Sequence, residues 1–189
     1  MTTDRISLGQ FEIYGLRDGF FYLDGGAMFG VVPKTLWEKK FPADEKNRIK
    51  LALNSILIET AKTLILVETG IGGDLGPKFQ EYYSVERRPG LVLSLKRLGY
   101  KVEDVDFVIN THLHFDHCGG NTYKNEKGED VPTFFKARYI IQRGEWEYAL
   151  HPSERDKPSY LEKNFLPLEK HGLLQLVDGN KEISEGVEV

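Results

Sequence analysis

Residues 111–121 read Thr-His-Leu-His-Phe-Asp-His-Cys-Gly-Gly-Asn, so His112, His114, Asp116 and His117 fall within six positions, directly after the apolar run 105–109. Imidazole and carboxylate are the ligands that suit zinc, iron and manganese. In an extended segment residues two apart point the same way, so His112 and His114 can share one ion. A chain turning from strand into helix then aims Asp116 and His117 at a neighbouring point. The spacing predicts two adjacent metal positions. Protonated imidazoles this close would repel one another, whereas a divalent ion favours the neutral form of each. The helix-borne His-Glu-x-x-His pattern is absent, which leaves a strand-to-helix site at the C-terminal end of a buried strand, where α/β folds place their ligands.

The rest of the chain must build that strand and cover it. With 189 residues and 40% hydrophobic content, one domain over 1–189 is expected. A net charge of −4 without a basic block argues against a nucleic-acid partner. Cys118 is the single cysteine, which excludes a disulfide within the chain and fits a reducing, cytoplasmic setting. It reads as a small buried packing residue beside the motif. The start of the chain is polar and no run approaches the ~18 apolar residues of a membrane span, so a soluble, unexported protein with no membrane partner is expected.

In chain order, the alternating segments 11–16 and 20–23 flank Asp18-Gly19 and predict a first hairpin with a tight turn. The glycine-rich segment 24–33 carries Met28 and Phe29 and reads either as a lip over a pocket, which makes them candidate substrate contacts, or as a loop packing on its own core. A short helix is expected over 35–40, and 51–59 with 63–68 form a second, more buried hairpin. The glycines of 69–76 match neither a dinucleotide fingerprint nor a P-loop, and read as a tight turn at the rim of the sheet. Pro89, the leucines at 91, 95 and 98 and Gly99 describe a helix of about three turns. The segment 124–130 is a charged, solvated loop. A strand is expected over 137–142, a helix from Glu145 interrupted at His151-Pro152, and strands over 173–177 and 183–189. His151 and His171 read as surface or capping residues.

Thr-His-x-His-x-Asp-His-x-Gly-Gly at 111–120, preceded by Val67-Glu68-Thr69-Gly70, resembles the signature of the metallo-β-lactamase-fold hydrolases. The segments 24–37, 41–45 and 51–70 are similar to the branch of quorum-quenching lactonases and methyl-parathion-hydrolase-like enzymes. The resemblance implies an α/β fold with mixed sheets, an αβ/βα sandwich. It also implies two divalent transition-metal ions, zinc in the first place with iron or manganese as alternatives. One would be held by His112 and His114, the other by Asp116 and His117, with Asp116 also orienting the attacking water. The implied activity is hydrolysis of a small-molecule ester, lactone or related substrate.

Two departures stand out. The family usually has aspartate where this chain has Glu68, one methylene longer. The family also carries a third histidine, a bridging aspartate and a final histidine downstream, and this sequence has no such residues. The expectation is therefore the N-terminal two-thirds of a family domain, incomplete at its C-terminus. It would be a fragment, or a chain completed by a complementing C-terminal chain, or one that has lost catalysis. Rival readings are an iron-dependent oxidoreductase on the same fold, similar to persulfide dioxygenases, and a non-catalytic half that associates with itself or a complement. Iron content with oxygen consumption would separate the first from a hydrolase, and oligomeric state the second.

Overall fold

A computed structural model describes residues 4–73 and 75–189. In order the elements are β1 (Arg5–Leu8), β2 (Phe11–Asp24), α1 (Gly25–Phe29), α2 (Lys34–Trp37), β3 (Arg48–Glu59), β4 (Leu64–Val67), α3 (Pro77–Tyr83), α4 (Leu91–Arg97) and β5 (Phe107–Ile109). There follow α5 (Phe115–Cys118), β6 (Thr122–Lys124), β7 (Asp130–Pro132), β8 (Arg138–Gln142), α6 (Arg143–Leu150), α7 (Leu166–Lys170), β9 (Leu174–Val177), β10 (Glu182–Ser184) and β11 (Val187–Glu188). A seven-stranded sheet runs in the order β1-β2-β3-β4-β5-β8-β9. Its first four strands are antiparallel and β4, β5, β8 and β9 are parallel, so the sheet is mixed as expected.

The period of two along each strand divides the core. Leu64, Leu66, Val108, Tyr139 and Ile141 face one side, where Leu91 and Leu95 of α4, Trp146 and Ala149 of α6 and Leu168 of α7 cover them. Ile65, Ile109, Ile140 and Val177 face the other, where the β10–β11 hairpin supplies Ile183 and Val187. Among the described residues no helix is long and apolar enough to cross a membrane.

Several elements differ from the sequence expectations. The first hairpin does not exist: β2 runs unbroken over fourteen residues, with a bulge between Arg17 and Gly19. The bulge turns Asp18 inward, where it is fully buried. A turn at Asp18-Gly19 and a bulge there call for the same residues, and only pairing with β3 distinguishes them. The last expected strand is instead a small hairpin turning at Gly186, whose positive φ suits the reversal. The charged loop 124–130 is the tip of a hairpin formed by β6 and β7, tied by Lys124 to Asp130 at 3.0 Å. Helix α4 has seven residues, about two turns, with Pro89 just outside it. Helix α3 was not expected at all, although Pro77 stands at its start.

The glycines around the motif serve close packing of backbone on backbone. A Cβ at Gly120 would strike the Thr69 carbonyl oxygen, one at Gly119 that of Ile71, and one at Gly72 that of Gly119. Segment 69–72 and the end of α5 are therefore interlocked, with Thr69 N–H donating to His117 O at 2.8 Å. Gly120→Ala is expected to cost about 1–3 kcal/mol as an overpacked contact. At roughly 2–4 °C per kcal/mol for a chain of this size, the melting temperature should fall by several degrees. An unchanged melting temperature would contradict the interlock.

Candidate metal centre

Strand β5 ends at Ile109 beside the end of β4, and the chain continues through the motif into the single turn of α5. The two strand ends are stitched together. Glu68 N–H donates to Ile109 O at 2.9 Å, Thr111 N–H to Glu68 Oε1 at 2.7 Å, and a buried chain of amides and hydroxyl links Thr69, Asn121 and Asn110 at 2.9 Å per step. Leu113 N–H donates to Glu145 Oε1 at 2.7 Å, which ties the middle of the motif to α6.

On this scaffold the histidines converge. The rings of His112 and His114 lie 4.6 Å apart between centroids, and those of His112 and His117 4.0 Å apart. His117 Nε2 lies 3.4 Å from Asp116 Oδ2, and His117 Nδ1 lies 3.4 Å from Glu68 Oε2. Burial works against charge on His117, yet the flanking Asp116 and Glu68 carboxylates push its pKa up to about 10. Burial and the neighbouring His117 and His114 hold His112 below the ordinary imidazole value. Burial opposes the charge of Asp116 too, but contact with His117 keeps its pKa below the usual carboxylate range. The pocket is thus one in which a cation is stabilised by two carboxylates.

These residues fit a divalent ion in kind. Two ligand atoms bound about 2.0–2.1 Å from one tetrahedral ion lie roughly 3.3–3.4 Å apart. That matches the 3.4 Å between His117 Nε2 and Asp116 Oδ2. Among the described residues no group of three or more His, Cys, Asp or Glu side chains is arranged to hold an ion.

Cys118 is fully buried with its sulfur 3.2 Å from Leu113 O, and burial pushes its thiol up, so it packs rather than reacts. His151 and His171 are exposed C-caps of α6 and α7. Phe29 stacks on Trp37 at 5.0 Å and leans on Phe41 at 5.3 Å, and Met28 is half exposed. The described ring contacts of the motif do not include Phe29; they go elsewhere. Phe115 packs against Phe21, Phe79 and Tyr83, with centroids 6.2, 5.0 and 4.9 Å away. The rings of Tyr160 and His114 meet in a T-shaped arrangement with centroids 4.7 Å apart. Tyr160 also borders an open groove of 720 Å³ lined by His151, Lys157 and Leu161. The wall built by α3 escaped the sequence reading, and the one signal was Pro77 ahead of Phe79, Tyr82 and Tyr83.

Residues 49–127 match the family model described as the metallo-beta-lactamase superfamily. The chain is 33% identical over 149 residues to the N-acyl homoserine lactonase AiiA of Bacillus thuringiensis subsp. kurstaki, covering 70% of this chain and 50% of that protein. It is 34% identical over 102 residues to the N-acyl homoserine lactonase AttM of Agrobacterium fabrum (strain C58 / ATCC 33970), covering 53% of this chain and 35% of that one. The chain spans about half the length of the curated relatives it matches. Among solved structures, a probable metal-dependent hydrolase from Staphylococcus aureus superposes with a TM-score of 0.86 at 34% identity, over 97% of this chain and 64% of that one. An N-acyl homoserine lactone hydrolase with N-hexanoyl-L-homoserine at its catalytic metal center superposes with a TM-score of 0.67 at 26% identity, over 100% of this chain and 65% of that one. Motif, matched segment and mixed-sheet fold agree, and the chain belongs to the metallo-beta-lactamase superfamily.

Proposed function

We propose that the whole protein is a metal-dependent hydrolase that opens a small-molecule lactone or a related ester. His112 and His114 would hold one divalent transition-metal ion and Asp116 and His117 a second, zinc in the first place. The observation that carries this reading is the 3.4 Å approach of His117 Nε2 to Asp116 Oδ2 in a pocket already bordered by two further imidazoles. Bound divalent ions supply Lewis-acid polarisation of a carbonyl and lower the pKa of a water.

The chain's own residues do the rest. Asp116, kept ionised by His117, can accept a hydrogen bond from the attacking water and turn its lone pair toward the carbonyl carbon. Phe79 and Tyr83, partly exposed and backed by the buried Phe21 and Phe115, give an apolar surface on which the hydrocarbon part of a substrate can rest while bulk water is kept away. Lactonase relatives support a lactone over other substrates, and the open groove beside Tyr160 offers room for the remainder of the molecule. The test is hydrolysis of N-hexanoyl-homoserine lactone and of a simple aryl ester by the whole protein. Activity should vanish on dialysis against a chelator and return with zinc, cobalt or manganese. Undiminished hydrolysis by the chelated protein would overturn the reading.

A further inference from the structure

We propose that the groove beside Tyr160 takes the far end of an acyl chain that terminates in a carboxylate, and that Lys157 selects for that charge; this rests on the hydrolase reading above and narrows its substrate class. The groove, 720 Å³ in volume, meets the candidate metal centre through two of its own lining residues. Tyr160 lines it and sets its ring in a T against that of His114, with centroids 4.7 Å apart. Leu161 lines it as well, and packs against the cluster that contains Phe115 and Tyr83. A substrate whose carbonyl lies at the motif can therefore run its acyl chain out past Tyr160, over Leu161 and Leu150. Both leucines offer apolar surface to methylene groups.

The border of the groove is charged. Lys157 and Lys163 bring ammonium groups to it and Glu162 a carboxylate. Lys157 is exposed and makes no ion pair among the described residues. The carboxylate next to it in sequence, Asp156, is already engaged: it accepts the Tyr148 hydroxyl at 2.6 Å and the Ser153 hydroxyl at 2.9 Å. Those bonds also fix the turn that carries the lysine. Lys157 N–H donates to Ser153 O at 2.9 Å, and Tyr160 N–H donates to Lys157 O at 3.2 Å. Lys157 thus stands on a closed turn, three residues from the ring that touches the motif. An ammonium held at the border of an apolar channel suits a chain with an apolar body and an anionic end, because the methylenes lie on the leucines while the carboxylate meets the charge. A neutral chain of the same length leaves the ammonium with water alone.

Two esters that differ only at the end of the acyl chain test this with the whole protein and zinc: 4-nitrophenyl hexanoate and the mono-4-nitrophenyl ester of adipic acid. Lys157→Ala should lower kcat/KM for the adipate ester relative to the hexanoate ester by about two- to fivefold, the worth of one exposed ion pair. The change should sit in KM, because the contact is the same in the ground and transition states. Lys157→Glu should lower the ratio further, and added salt should shrink the difference between wild type and Lys157→Ala. Lys62→Ala removes an equal charge at the end of β4 away from the motif and should leave the ratio as it is. An unchanged ratio in Lys157→Glu would overturn the proposal, and so would an equal fall in Lys62→Ala, the mark of the protein's overall field. If wild type hydrolysed neither ester, the hydrolase reading would fall and this proposal with it; hydrolysis of both esters with an indifferent Lys157→Glu removes only the selectivity of the groove.

Discussion

Replacement of His114 by alanine is expected to abolish hydrolysis by the whole protein and to lower its metal content. The ring of His114 stands between His112 and Tyr160, 4.6 and 4.7 Å from their centroids, so it is held from two sides in its place at the site. Removing it would leave His112 as the lone donor of the proposed pair. The loss should exceed the ~10–100-fold that follows removal of a group acting only through a ligand. The variant should still fold, because the contacts that hold the motif's backbone, Glu145 and Cys118 to Leu113 and the His117 and Cys118 N–H groups to the His114 carbonyl, do not use the His114 side chain. Steady-state hydrolysis and elemental analysis of the same preparation check both parts. Full activity in His114→Ala would remove the proposed site.

The largest effect on stability is expected at Asp18, a residue that touches no motif side chain. Its carboxylate is fully buried and accepts hydrogen bonds from Ile71 N–H at 3.1 Å, from Leu91 N–H at 2.8 Å and from the Arg87 guanidinium at 3.2 Å. It thereby fixes the start of α4 and the segment 69–72 that interlocks with Gly119 and Gly120. Asp18→Ala strands two buried amides and one side of an ion pair whose arginine is only partly exposed. Unsatisfied buried donors cost about 1–3 kcal/mol each, while the Arg87 charge left behind is solvent-accessible and adds little. Of a typical total near 5–15 kcal/mol, a loss of about 2–6 kcal/mol for the two stranded amides removes a large share. Urea denaturation should show the midpoint falling sharply, with Asp18→Asn in between because its amide oxygen still accepts one bond. A loss below about 1 kcal/mol in Asp18→Ala would contradict this role.

The contrast between those two residues shows what a sequence of this kind discloses. The motif was legible as a cluster because it is local: three imidazoles and a carboxylate within six positions come together without knowledge of the fold. The β3–β4 hairpin, the strand at 138–142 and the helix ending before His151-Pro152 were legible because pattern and punctuation coincide there. Asp18 was not, because its role depends on donors 53 and 73 residues away and its Asp-Gly pair reads equally well as a turn. The aromatic wall was hidden for the same reason: Phe79 and Tyr83 meet Phe115 and Phe21 only once α3 folds against β2. Met28 and Phe29 belong to a segment whose packing the sequence did not disclose. Apolar residues in a glycine-rich segment suggested a lip, and Phe29 packs against Trp37 and Phe41 in a small aromatic stack of its own. Glu68 stood out by type, but its two-handed contact with Thr111 and His117 needed the left-handed backbone to be seen.

If residues 112–117 hold divalent metal as proposed, anomalous diffraction from crystals grown with zinc, collected on both sides of the zinc absorption edge, should show a peak in contact with Asp116 and His117 Nε2 and a second beside His112 and His114, both absent below the edge. Zinc bound only at other sites, with Asp116 and His117 still touching each other and no peak between them, would contradict it.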